Sequence, residues 1–213
     1  MIPDSILVAD DHPMLLKGLC DELKGKNYNV IGAAIDGGQA IEFIIKDEPN
    51  IAIIDIEMPV LSGFEVISES VAHGVCTKFI ILTSHKEKAF VLKAKKFNIQ
   101  GYLLKDEPFT EIEKCIKRVA SGASYFSNSF DHILKTQIHP EMERIRNLSP
   151  SERTITKLIA NGKTSKEISE ELSISIRTVQ KHRANIIKKL ELPPSSDSLH
   201  QWAKENIELL FSI

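Results

Sequence analysis

The sequence predicts a doubly wound α/β domain built on a five-stranded parallel sheet, followed by a second, smaller all-α domain. Three observations carry this. Four apolar runs each break off into a polar residue: Ile6-Leu7-Val8-Ala9 into Asp10-Asp11, Ile51-Ala52-Ile53-Ile54 into Asp55, Phe79-Ile80-Ile81-Leu82 into Thr83-Ser84, and Tyr102-Leu103-Leu104 into Lys105. Continuous apolar runs of this length mark strands buried on both faces, as in a parallel sheet covered by helices. Segments of helical periodicity separate the runs, and the last third of the chain carries repeated helix-start signals.

The elements follow in order. From Pro13 to Lys24, residues Leu16, Leu19, Cys20 and Leu23 share one helical face. A β-like run from Tyr28 to Ala34 precedes Asp36-Gly37-Gly38, and Ala40, Ile41, Ile44 and Ile45 form a second stripe. The third strand ends at Asp55, and Pro59 with Ser62-Gly63 makes a loop before a helix carrying Val66 and Ile67. A helix from about Lys86 to Phe97 follows the fourth strand. The fifth strand runs from about Gly101 to Leu104, and Ile112, Cys115, Ile116 and Val119 mark the closing helix. Five such repeats fill a domain over 1–122.

Ser121-Gly122-Ala123-Ser124 breaks that rhythm, so 123–146 reads as a linker in which Phe130, Ile133 and Leu134 belong to a short connecting helix. The second domain spans 147–213. Ser149-Pro150-Ser151-Glu152 has the form of a capping box with proline at the first helical position, and Asn161-Gly162 ends that helix. Thr164-Ser165-Lys166-Glu167 repeats the box, Ser173-Ile174-Ser175 is a tight turn, and Ser175 caps a longer helix reaching about Leu190. Two capped helices joined by so short a turn outline a helix-turn-helix. Pro193-Pro194 precedes a last helix carrying Leu199, Trp202, Ala203 and Ile207.

Composition excludes several classes. With 42% hydrophobic and 26% charged residues the chain reads as globular. No apolar stretch approaches the roughly 20 residues of a membrane span, and Met1-Ile2-Pro3-Asp4 lacks the blocks of a signal peptide, so a cytoplasmic protein with no membrane partner is expected. Cys20, Cys76 and Cys115 are odd in number and widely spaced, which suits reduced thiols rather than bridges or zinc ligands. The net charge of −2 hides an asymmetry: residues 1–125 carry 14 Lys and Arg against 18 Asp and Glu, whereas 144–190 carry 11 against 4. An acidic module is thus joined to one suited to a polyanion.

In a parallel sheet, ligands bind beyond the carboxyl ends of the strands. Asp10, Asp11, Asp55, Thr83 and Lys105 are therefore expected at one edge. Three carboxylates make a hard-oxygen site suited to Mg²⁺, and a carboxylate beside the metal can attack phosphorus to form an acyl phosphate. Lys105 supplies a cation for the transferring group and Thr83 a hydroxyl donor. Taken one at a time, plainer roles compete: Asp11 before His12-Pro13 can cap a helix, and Lys105 can end a strand in solvent.

The Asp10-Asp11 pair, Asp55 in Asp-Ile-Glu-Met-Pro, Thr83-Ser84, and Gly-Tyr-Leu-Leu-Lys ending at Lys105 resemble, in the same order, the flavodoxin-like receiver domain of two-component response regulators. The resemblance covers roughly the first 120 residues. It implies that Asp55 accepts phosphate from a phosphohistidine on a sensor histidine kinase, and that Asp10, Asp11, Asp55 and the backbone carbonyl of Glu57 bind Mg²⁺. It also implies that Thr83 and Lys105 contact the phosphoryl group and that Tyr102 is the aromatic switch. Asp106 stands where many receivers have proline, so a cis peptide after the lysine is not carried over. Glu57 and His85 occupy positions that vary in that family and face the phosphoryl group. The Glu57 carboxylate either tunes phosphate lifetime or is a solvated loop acid.

In the third helix of the second domain, Arg177, Lys181, Ala184 and Lys188 fall within a narrow arc, opposite Val179, Ile186 and Leu190. A cationic stripe over a buried apolar one suits the DNA major groove, although an isolated basic face can be merely solvated. Leu148-Ser149-Pro150-Ser151-Glu152-Arg153, the segment from Gly162 to Ile168, and Thr178-Val179-Gln180-Lys181-His182-Arg183 resemble the DNA-binding domain of the NarL/LuxR type. By that resemblance Gln180, Lys181 and Ala184 face bases, while Arg177, His182, Arg183 and Lys188 contact phosphate or pack; Thr178 belongs to the same surface. The whole reads as a transcription regulator that phosphorylation of Asp55 switches, drawing Thr83 and Tyr102 inward and releasing the DNA-binding domain or promoting a homodimer. Its partners would be the kinase, double-stranded promoter DNA and RNA polymerase. An enzyme reading, an Asp-nucleophile phosphatase, lacks its usual Asp-x-Asp because Glu57 stands two residues after Asp55. A regulator that binds DNA independently of phosphorylation is the other alternative.

Overall fold

Short runs of β-branched and leucine side chains cannot leave either face in water, and the chain stacks them side by side. Strands β1 (Ile6–Ala9), β2 (Val30–Ala34), β3 (Ile51–Ile54), β4 (Lys78–Thr83), β5 (Gly101–Leu104) and β6 (Tyr125–Phe126) form one sheet in the order β2-β1-β3-β4-β5-β6, every pairing parallel. The structure, a computed structural model, describes residues 5–212; Met1–Asp4, read above for the absence of a signal peptide, lie outside them. Every residue of β1, β3 and β5 is buried, as the unbroken apolar runs require.

Helices α1 (Pro13–Gly25), α2 (Gly37–Asp47), α3 (Gly63–Ala72), α4 (Lys88–Lys96) and α5 (Phe109–Ala120) wind the sheet. Leu16, Leu19 and Leu23 of α1 and Ile112, Cys115, Ile116 and Val119 of α5 pack on Ile6, Val8, Ile51, Ile53, Ile80, Leu82 and Leu103. Alternation along each strand sends Leu7, Ala52, Ile54 and Ile81 to the opposite layer. Gly37 and Gly63 fix the loop after β3: a Cβ on Gly37 would stand 2.0 Å from the Leu61 carbonyl oxygen, and one on Gly63 would stand 2.2 Å from that of Asp55. Only glycine permits so close an approach of backbones.

The sheet has six strands, not the five expected. Gly101 and Tyr102 of β5 pair with Tyr125 and Phe126, inside the stretch read as linker. A two-residue strand has no period to detect; it forms because β5 would otherwise present an unpaired edge. After it, Ser127 caps α6 (Asn128–Ile133), and a π-helical turn over Leu134–Ile138 leads into α7 (His139–Arg146). The chain divides into two compact units, 1–134 and 135–213.

In the second unit α8 (Pro150–Ala160), α9 (Ser165–Glu171), α10 (Ile176–Lys189), α11 (Ser196–Glu205) and α12 (Ile207–Ser212) bury Ile155, Ile159, Ile168, Val179, Ile186, Leu190, Leu199, Leu209 and Leu210. Both capping boxes form. The single last helix expected through Ile207 is instead broken at Asn206, a buried side chain whose Nδ2 donates to the Trp202 carbonyl at 2.8 Å. A buried amide needs such partners. No described helix is long and apolar enough to cross a membrane.

Candidate functional site

Because β1, β3, β4 and β5 are neighbours and parallel, their carboxyl ends place Asp10, Asp11, Asp55, Thr83 and Lys105 along one edge. Asp10 and Asp55 are buried, as is Thr83. Lys105 Nζ lies 2.7 Å from Asp10 Oδ2 and 2.7 Å from Asp55 Oδ2, so one ammonium serves both carboxylates. The backbone N–H of Ile56 donates to Asp55 Oδ1 at 2.7 Å. Burial pushes the Asp55 carboxyl up, aided by the charge of Asp10, while Lys105 and the Ile56 N–H pull it back. Burial also works against the charge on Lys105, but its hydrogen bonds to Asp10 and Asp55 outweigh that and hold the ammonium protonated above its usual range.

Ligand atoms of Asp10, Asp11, His12 and Asp55 all lie within 4.8 Å of one another. Asp11 Oδ1 is screened from solvent and no donor is aimed at it in hydrogen-bonding geometry, although His12 Nδ1 stands 2.8 Å away. A buried carboxylate oxygen without a donor, beside two more carboxylates, fits a hard divalent cation that takes oxygen ligands. The sequence alone does not place His12 in this group; its adjacency to Asp11 is the available signal. Its ring also approaches Asp10 Oδ1, 3.2 Å away, and its N–H donates to the same oxygen at 2.9 Å.

Beyond the acids, His85 links the remaining parts. Its N–H donates to Thr83 Oγ1 at 3.2 Å, and its carbonyl accepts from the Tyr102 hydroxyl at 3.1 Å. Its ring lies between Glu57 Oε1, 3.2 Å from Nε2, and Glu87 Oε2, 3.3 Å from Nδ1, and rests on Phe90. Glu57 thus has the His85 ring as a partner while its side chain stays 68% exposed. Tyr102, which the resemblance implies is the switch position, is 1% exposed and points inward. Burial, then the charges of Glu87 and Asp55, raises its phenol far above the ordinary range and keeps it a donor. The Lys105–Asp106 bond is trans, as is every peptide bond among the described residues.

In the second unit Ser175 caps α10 through the N–H of Thr178 at 3.0 Å, and Ser173 makes the preceding turn at φ 53°. Arg177, Gln180, Lys181, Ala184 and Lys188 are exposed, and Val179 and Ile186 are buried beneath them. Thr178 is half-buried, its hydroxyl 2.8 Å from that of Ser175. Arg183 is also half-buried, in a recess of about 490 Å³ with Ser165, Gln180, Ala184 and Ile187. Burial lowers its pKa, yet the guanidinium stays charged. Buried His182 Nδ1 has no hydrogen-bond partner among the described residues. Glu152 does more than cap: it accepts from Ser149 N–H at 2.8 Å and from Lys189 Nζ at 2.7 Å, tying the start of α8 to the end of α10.

The family described as "Response regulator receiver domain" matches residues 6–117, and "Bacterial regulatory proteins, luxR family" matches residues 146–200. Transcriptional regulatory protein DesR of Bacillus subtilis is 34% identical over 189 residues, covering 88% of this chain and 90% of the relative. Nitrate/nitrite response regulator protein NarL of Escherichia coli is 30% identical over 195 residues, covering 89% and 90%. A solved structure of RcsB from Salmonella enterica serovar Typhimurium, bound to a promoter in the presence of phosphomimetic BeF3−, is similar with a TM-score of 0.61 at 25% identity, covering 95% of this chain and 98% of that one.

Proposed function

The chain belongs to the two-component response regulators that join a receiver domain to a LuxR-type DNA-binding domain and act in transcription regulation, and on that premise we propose that Asp55 is its phosphoacceptor. The observation that carries the reading is Lys105 Nζ at 2.7 Å from both Asp10 and Asp55 at a buried sheet edge. An Asp55 carboxylate oxygen attacks the phosphorus of a phosphohistidine on a sensor histidine kinase. The P–N bond breaks, the imidazole leaves with the electron pair and takes a proton, and an acyl phosphate remains on Asp55.

Asp10, Asp11, Asp55 and the Glu57 carbonyl would hold Mg²⁺, whose charge, when the ion is bound, offsets that of the phosphoryl oxygens. Lys105 exchanges part of its carboxylate contact for a phosphoryl oxygen, and the Thr83 hydroxyl donates to another. Phosphorylation then favours a homodimer whose α10 helices enter the major groove at paired half-sites. Lys181 and Gln180 reach base edges, Ala184 makes room or touches a thymine methyl, and Arg177, Arg183 and Lys188 anchor phosphates. The protein acts in the cytoplasm, where it meets the kinase, promoter DNA and RNA polymerase. The relatives' names as transcriptional regulators support this output.

Labelling with acetyl phosphate tests the reading. The expected result is an acid-stable, base-labile phosphoprotein that requires Mg²⁺ and disappears in Asp55→Asn, with tighter promoter binding only in the labelled form. Labelling that survives Asp55→Asn overturns Asp55 as the phosphoacceptor, and promoter affinity indifferent to labelling overturns the switch and leaves a phosphorylation-independent DNA binder.

A further inference from the structure

Tyr102 is held from two sides by a segment that the sequence assigns to no domain. Its ring packs on Phe130, with centroids 4.9 Å apart and planes at 50°, and Phe130 stacks on Phe126 at 4.6 Å and 16°. Both Tyr102 and Phe130 are 1% exposed. The Tyr102 carbonyl accepts from the Ser127 N–H at 3.1 Å, and Ser127 caps α6 through the Phe130 N–H at 3.3 Å. The Ser127 side chain also hydrogen-bonds Glu107, on the loop that carries Lys105. Tyr125 adds a hydrogen bond to Glu111 of α5, and α6 packs against α4 and β5.

An outward swing of Tyr102 would part its ring from Phe130, open a void under α6 and strip its hydroxyl of the His85 carbonyl. Thr83 is held differently among the described residues: its hydroxyl oxygen accepts from the His85 N–H at 3.2 Å. A phosphoryl oxygen that draws Thr83 breaks that one bond.

We infer that Phe130 is a positioning residue of the phosphoacceptor site: it pins Tyr102 inward before any phosphoryl group arrives, so that Thr83 and the His85 loop move about a fixed Tyr102. This rests on the reading of Asp55 as phosphoacceptor, and it differs from the sequence expectation that phosphorylation itself draws Tyr102 inward. The extension over Tyr125–Ile133 thereby acts as part of the receiver and not as a tether.

Fluorine NMR of the full chain carrying 3-fluorotyrosine tests this, with Mg²⁺ and beryllofluoride as the phosphoryl mimic and Tyr→Phe variants assigning the three tyrosines. The bound fluoride resonance in the same spectrum reports occupancy of Asp55. In the unsubstituted chain the Tyr102 resonance is expected to shift on beryllofluoride binding less than it does in Phe130→Ala, the remaining shift reporting movement of the His85 carbonyl bonded to its hydroxyl. In Phe130→Ala it broadens or shifts in the free protein and returns towards the original position on binding, whereas Phe130→Leu, which keeps most of the volume, holds it in place. A Tyr102 resonance that moves on binding in the unsubstituted chain as far as in Phe130→Ala overturns the inference, and that comparison stands on the Leu variant if the Ala variant does not fold. Absence of any bound fluoride resonance overturns the phosphoacceptor reading instead, and the inference with it.

Discussion

The Tyr102 hydroxyl donates to the backbone carbonyl of His85 at 3.1 Å, while the N–H of the same histidine donates to Thr83 Oγ1. One residue of the β4–α4 loop therefore joins the two side chains that the family resemblance names as switch elements. Its ring, between Glu57 and Glu87, also joins them to the rim of the acidic site.

Glu57 is the acid on that rim closest in sequence to Asp55, and its pairing with His85 fixes where its charge stands. Glu57→Gln removes the charge and replaces one acceptor oxygen by a donor NH2 while keeping the shape. The phosphoprotein is expected to decay about threefold more slowly, the effect of roughly 0.6 kcal/mol for a largely exposed pair. Decay of the labelled protein measures it, and an unchanged half-life dismisses the role.

Removing the shared ammonium should be costly in a second way. In Lys105→Ala, Asp10 and Asp55 are left buried with no cation between them, and a loss of about 3 kcal/mol in the first unit is expected. Mg²⁺ should return part of that loss, by binding the native state alone, and Asp11→Ala should abolish the return. Urea unfolding with and without Mg²⁺ reads both effects.

Val60 is a β-branched residue at φ 71°, 78% exposed, and Leu61 N–H donates to the Pro59 carbonyl across it at 2.9 Å. This is a γ-turn with its centre in the left-handed half of backbone space, where a side chain is disfavoured. Val60→Gly should raise the stability of the first unit by about 1 kcal/mol, the difference between the relieved strain and the added chain entropy. A lower unfolding midpoint would show that the side chain contributes more than its exposure suggests.

The Glu152 carboxyl lies below its ordinary 4.5: burial opposes ionisation, but Lys189 and the Ser149 N–H and hydroxyl prevail. Its contribution is complete above the unfolded pKa and is lost as pH falls through the folded one. Glu152→Gln is expected to cost about 1 kcal/mol at pH 7, with the gap to the original chain closing as pH falls from about 5 to 3. A gap that stays constant across that window would assign the effect to packing.

For the DNA surface, Arg177→Ala and Lys188→Ala should each lower the salt slope of promoter binding by about 1 and weaken all sequences alike. Gln180→Ala should cost about 1–3 kcal/mol on the preferred site and less elsewhere. Titrations at several salt concentrations on specific and random duplexes separate the two behaviours.

Much of this protein is legible from local pattern. Unbroken apolar runs specify buried parallel strands, parallel strands put Asp10, Asp11, Asp55, Thr83 and Lys105 at one edge, and Ser149, Thr164 and Ser175 announce their helices because capping is a contact over three residues. What escaped depends on contacts without a period. The pairing of Tyr125 and Phe126 exists only because β5 offers an open edge, the last helix breaks at Asn206, whose amide is buried, and His12 joins the acids through the turn after β1. Phe130 and Tyr102 lie far apart in sequence, and no propensity of either residue foretells that they meet. The sequence by itself determined which chemistry gathers at the sheet edge, because strand direction and side-chain alternation are local; only the tertiary structure decided that Tyr102 is already held inward, because that depends on the space left between β5, α4 and α6.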